Sequence, residues 1–162
     1  MLRLLLVEDD PDRIARFTAW CPPDARQVVA RGGGRALGLL ERDPGRVYAG
    51  LLLDHDLPGQ AVNDAERLVT GTQVVRGILR HLDPEIPILI HSLNQGAARR
   101  MATTLTTAGF EVSAIPMADL TRDRFLAWLD TVREVQGLLG PEVTDQPRPP
   151  PPLVKAEPEP TS

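Results

Sequence analysis

Leu4-Leu5-Leu6-Val7-Glu8-Asp9-Asp10-Pro11 decides how this chain folds. Four apolar residues without polar alternation mark a strand buried on both faces, as in parallel sheets. Three acids end the run, and Pro11 follows in the first-turn position of a helix with Asp10 placed as its cap. Ile14, Ala15, Phe17 and Trp20 continue at helical spacing until Cys21-Pro22-Pro23 stops the helix.

The same strand-then-helix alternation recurs outward from this segment. Strands are expected at Gln27–Ala30, Tyr48–Leu53, Ile86–Ile90 and Phe110–Ile115. Between them, Ala36 to Leu40 reads as a short helix after a Gly32-Gly33-Gly34 turn. Val74, Val75, Ile78 and Leu79 fill one face of another, with residues 55–71 as a polar loop or short irregular helix before it. Gln95–Thr107 is a further helix stopped by Gly109. Arg122–Leu139 closes the fold, with Phe125, Leu126, Leu129, Val132, Val135 and Leu138 inward. Five strands alternating with five helices specify an α/β fold: a doubly wound five-stranded parallel sheet, flavodoxin-like, of order 2-1-3-4-5. The folded domain is expected to span residues 1–139. Eight of the sixteen prolines lie from Pro141 onward, so residues 140–162 are expected to be a disordered, proline-rich tail that can serve as a protein ligand.

Composition narrows the function classes. The chain has 162 residues, 42% apolar and 25% charged, with a net charge of −4. That balance disfavours a nucleic-acid coat or an anionic membrane surface as partner. No stretch reaches the roughly 18 apolar residues of a membrane span. One cysteine, Cys21, and an N-terminal apolar run too short for a signal sequence predict a cytoplasmic protein. Of eighteen basic residues only Lys155 is a lysine, and it lies in the tail.

The chemistry-bearing residues gather at strand ends. Glu8, Asp9 and Asp10 end the first strand. Leu53-Asp54-His55-Asp56-Leu57 ends the third, and Ile90-His91-Ser92 the fourth. In the expected order these ends meet at one crevice, where such sheets bind ligands. Glu8, Asp9 and Asp54 make an oxygen-rich set suited to Mg²⁺, and no organic cofactor is expected. Histidine near a carboxylate suits proton transfer at neutral pH, which points to His55 and His91 as an acid–base pair. Which is the acid and which the base stays open. Arg99 and Arg100, following the fourth strand, carry the forked donor set that grips phosphate. Strict alternation sets Asp54 and Ser92 on one sheet face and both histidines on the other, unless the chain turns at the strand ends. His81, near a helix end, reads as a surface residue.

Val7-Glu8-Asp9-Asp10-Pro11, Leu53-Asp54 with Pro58, and Ile115-Pro116 resemble the receiver domain of two-component response regulators over residues 1–138. The resemblance implies that Glu8 and Asp9 bind a divalent cation, that Asp54 is the phosphoacceptor served by a sensor kinase, and that Ser92 is the strand-four hydroxyl. Ile115 stands where that family has lysine. Leu53-Asp54-His55-Asp56-Leu57, Gly71-Thr72, Ile90-His91-Ser92 with Asn94, and Arg99-Arg100-Met101 are similar to the cyclic-phosphate-processing receiver-like family. That likeness implies hydrolysis of a cyclic phosphate on a nucleotide or an RNA end by His55, His91, Asp54 and Asp56, with Ser92, Arg99 and Arg100 on the phosphate. The alternatives are an atypical receiver phosphorylated on Asp54, and a non-catalytic adaptor binding a partner constitutively.

Overall fold

The computed structural model describes residues 1–55 and 71–138. A parallel sheet is built from β1 (Leu2–Val7), β2 (Ala25–Ala30), β3 (Gly50–Leu53), β4 (Ile88–Ile90) and β5 (Val112–Ala114), in the order β2-β1-β3-β4-β5. Five α-helices among the described residues cover it: α1 (Pro11–Trp20), α2 (Gly33–Arg42), α3 (Gly71–His81), α4 (Gln95–Thr107) and α5 (Arg122–Val135). The flavodoxin-like fold read from the sequence is therefore the fold of the chain. The proline-rich tail and the segment from Asp56 to residue 70 lie outside the described residues.

Alternation along the strands divides the core in two. Leu5, Val7, Leu51, Leu53, Ile88 and Ile90 face α2, α3 and α4. Leu4, Leu6, Leu52 and Leu89 face α1 and α5, packing on Phe17, Phe125, Trp128 and Leu129. The central strands are buried on both sides, which explains why they read as unbroken apolar runs.

Local chemistry accounts for the ends. Asp10 caps α1 by accepting from the Arg13 N–H at 2.9 Å, and Asn94 caps α4 by accepting from Ala97 N–H at 3.0 Å. Gly109, at φ +96°, makes the left-handed turn that releases α4 toward β5. Three expectations are corrected. The glycines at 32–34 are not a free turn: Gly32 is the N-cap of α2, and Gly33 its first residue. The last helix ends at Val135, so Leu138 is 58% exposed instead of inward, and Trp128 supplies the buried contact. The strands at Tyr48, Ile86 and Phe110 begin two residues later than read, because those residues are buried beyond the paired ladder.

Candidate functional site

The register fixes which residues meet. Val7 pairs with Leu53, Leu53 with Ile90, and Ile90 with Ala114. One rung further lie Glu8, Asp54, His91 and Ile115. The rung is continued by hydrogen bonds from Asp54 N to Val7 O, His91 N to Leu53 O and Ile115 N to Ile90 O. All four share the face that carries Leu6, Leu52 and Leu89, under α1 and α5. His55 and Ser92 fall one residue later.

This corrects the expected grouping. Asp54 shares its face with His91, not with Ser92, and the sheet separates the two histidines. His91 is fully buried against the Phe17 ring, with centroids 4.7 Å apart. His55 lines an open cavity on the opposite face, between α3 and α4. Because β4 is buried on both faces, its apolar run carries no phase that sets its register against β3.

The inner cluster is dominated by one arginine that the sequence reading passed over. From α1, Arg13 Nη2 reaches Glu8 Oε1 at 3.2 Å and Asp54 Oδ2 at 3.4 Å, both buried. Its place, a helical turn after the acids, was the available signal. Ile115, where receivers carry lysine, packs on the apolar cluster beside α5. Glu8 Oε1 also accepts the N–H groups of Asp9 and Asp10, each at 3.0 Å. Burial lifts the Glu8 carboxyl to about 8, opposed by the Asp10 N–H and reinforced by Asp54. Its other oxygen, Oε2, lies 3.6 Å from His91 Nδ1. Burial, with help from the Arg13 charge, pushes the His91 imidazole down to about 3. Glu8 and His91 thus face each other as a neutral pair rather than as a salt bridge, and neither ring nitrogen of His91 makes a hydrogen bond among the described residues.

Glu8, Asp9 and Asp54 each present a carboxylate oxygen within 4.8 Å of the others. That donor set suits a hard divalent cation. The Arg13 guanidinium touches two of the same three carboxylates, so it is already a cationic partner for the group.

The outer site is open. Its cavity, about 430 Å³, is lined by His55, Thr72, Arg76, Arg100 and Thr104 over Val75, Leu79 and Met101. Gly71 lets the chain return beside His55: a Cβ there would lie 2.9 Å from the His55 carbonyl oxygen and 3.0 Å from its ring Cδ2. Arg100 joins this cavity, whereas Arg99 is exposed outside its lining. Ser92 is buried, its Oγ accepting the Asn94 N–H at 3.1 Å, so it shapes the turn into α4. Asp56 lies outside the described residues. His81 is half-buried at the far end of α3, where its carbonyl accepts the Gly45 N–H.

A 2-1-3-4-5 parallel sheet with carboxylates ending its first and third strands defines a receiver-type domain. Residues 3–107 match the cyclic-phosphate processing receiver domain, and the chain belongs to that family. No curated protein matches it in sequence. Among solved structures it resembles the receiver domain of sensor histidine kinase PA1611 from Pseudomonas aeruginosa, which has a magnesium ion coordinated in its active site cleft. That likeness has 20% identity and a TM-score of 0.60, covering 84% of this chain and 98% of that one. A receiver domain protein from Clostridium thermocellum aligns at 12% identity and TM-score 0.62, covering 86% and 100%. The non-phosphorylated HemR receiver domain from Leptospira biflexa aligns at 22% and 0.58, covering 87% and 98%. At these identities the neighbours establish the fold alone. No described helix is long and apolar enough to cross a membrane.

Proposed function

We propose that this receiver-fold protein hydrolyses a cyclic phosphate ester in the cavity between α3 and α4, with His55 moving the proton. The observation that carries the reading is the separation of the histidines: His55 borders open space beside Arg100, while His91 is sealed and neutral. Water adds to phosphorus, the ring P–O bond breaks, and the freed ester oxygen takes a proton. An imidazole can serve either end of that exchange, and a guanidinium can hold two phosphoryl oxygens. Asp56 directly follows His55 and is proposed as the carboxylate that fixes its tautomer. Asp54 and His91, on the other face of the sheet, and Ser92, in the turn into α4, take no direct part in this proton transfer, and Arg99, exposed outside the cavity lining, is proposed as a weaker phosphate contact.

A divalent cation such as Mg²⁺ would be held by Glu8, Asp9 and Asp54, where it would add positive charge under the crevice. The test is a panel of cyclic phosphates, nucleosides and RNA ends alike, with and without Mg²⁺. His55→Ala is expected to lower turnover by about 10²–10⁴-fold. No turnover by the unaltered chain over the whole panel would end this reading.

The acid trio around Asp54 favours a second reading, an atypical receiver phosphorylated on Asp54 by a sensor kinase. Acetyl phosphate with Mg²⁺ would then add a phosphoryl group, seen by intact mass and lost in Asp54→Asn. Ile115 and the occupied Arg13 position count against it.

A further inference from the structure

The cavity beside His55 is built from two helix faces of one pattern. From α3 it takes Thr72, Val75, Arg76 and Leu79, and from α4 Ala97, Arg100, Met101 and Thr104, each set spaced i, i+3, i+4, i+7. Faces at that spacing are normally apolar throughout and close on each other. Here each carries one arginine, a cavity remains between the faces, and Leu79 is 39% exposed on its rim. Neither Arg76 nor Arg100 forms a side-chain ion pair or hydrogen bond among the described residues. Acids are not scarce: the chain has 22 against 18 basic residues, and Arg3, Arg13, Arg46 and Arg133 all pair with them. Both guanidiniums are exposed at the cavity, so their donors are open to an anion that enters it.

We infer that Arg76 and Arg100 form a two-guanidinium clamp for the phosphate of an ester whose apolar body rests on Val75, Leu79 and Met101. A phosphate matches two guanidinium forks with its several oxygens, which a single carboxylate cannot do. The volume of about 430 Å³ falls in the roughly 300–1,000 Å³ range of small-molecule sites and admits one nucleotide-sized ligand. The clamp rests on the cyclic-phosphate reading for its placement beside His55, and it assigns Arg76, on α3, a binding role.

The test is calorimetric titration of the full chain with adenosine 2′,3′-cyclic phosphate, with adenosine, and with a short RNA ending in the same cyclic phosphate. Whichever phosphate form binds more tightly supplies the ligand. Arg76→Ala is expected to weaken that binding at least 10-fold and to leave adenosine unchanged, with partial recovery in Arg76→Lys. Arg76 is exposed, so its removal leaves the core intact. Unchanged affinity for both phosphate forms in Arg76→Ala would overturn the clamp. The two readings fail separately. Binding lost in Arg76→Ala without turnover by the unaltered chain supports the clamp and removes hydrolysis. Turnover dependent on His55 with KM and affinity unmoved in Arg76→Ala overturns the clamp alone.

Discussion

Arg13 stands 3.4 Å from Asp54, on the rung where Ile115 replaces the expected lysine. The cationic partner of the acid cluster thus comes from α1 rather than from the end of β5. Removing it leaves the Asp54 carboxylate buried without that charge. Loss of one partner from a buried ionic contact typically costs about 3–5 kcal/mol. Arg13→Ala should therefore lower the urea midpoint sharply. If Mg²⁺ is held by the same carboxylates, as proposed, adding it should restore the variant by more than it stabilises the parent chain. An Arg13→Ala protein whose midpoint matches the parent, with no added response to Mg²⁺, would show that the guanidinium is incidental.

Stability should depend on pH with two opposed limbs. The Glu8 carboxyl, ordinarily near 4.5, is raised to about 8 in the fold. The unfolded chain loses that proton first, so stability falls as pH rises from 4.5 to 8. His91, ordinarily near 6.5, is lowered to about 3. The unfolded chain takes that proton first, so stability falls as pH drops from 6.5 to 3. Between 4.5 and 6.5 the slopes cancel and a plateau results, while each limb runs at about 1.4 kcal/mol per pH unit. Denaturant midpoints in chelator-containing buffer should trace this profile, and Glu8→Gln should flatten the alkaline limb. An alkaline limb that persists in Glu8→Gln would refute the assignment.

Gly71 and Gly38 make a matched pair of helical glycines. A Cβ on Gly71 meets the His55 backbone oxygen at 2.9 Å, whereas one on the exposed Gly38 of α2 meets nothing within 4 Å. Gly71→Ala should cost about 1–3 kcal/mol by overpacking and should shift the His55 ring resonances in NMR spectra. Gly38→Ala should instead stabilise by about 0.5–1 kcal/mol through helix propensity. Equal effects at the two sites would contradict the contact at Gly71.

The fold was legible because punctuation and patterning agree: Pro11, Asn94 and Gly109 sit at element ends, and apolar runs alternate with helical spacing. That the acids and histidines gather at strand ends was legible for the same reason. Their partition between the two faces of the sheet was not. Ile88-Leu89-Ile90 is buried on both faces, so nothing in its composition says that His91 rather than Ser92 lies beside Asp54. Arg13 sits on a helix otherwise read for its apolar face, and its inward reach is a tertiary contact to Glu8 and Asp54 beyond the ends of two different strands. Arg76 and Arg100 line one cavity because α3 and α4 pack on the same face of the sheet, a tertiary relation between residues 24 apart in sequence.

The two histidines should respond oppositely to removal. His91 is buried against Phe17, 3.6 Å from Glu8, and its ring nitrogens make no hydrogen bond among the described residues. Unsatisfied buried polar atoms cost about 1–3 kcal/mol each, so an apolar side chain of similar size recovers part of that cost. His91→Leu should then match or exceed the parent chain in denaturant midpoint at pH 7, and the acid limb that the parent shows below pH 4.5 should disappear. His55 is half-buried at the cavity instead, so His55→Ala should leave a folded protein with a single cooperative transition while lowering turnover of the responsive cyclic phosphate by about 10²–10⁴-fold. Turnover surviving in His55→Ala but lost in His91→Leu, with both proteins folded, would move the proton-transfer role to the inner face and take the proposed division of labour with it.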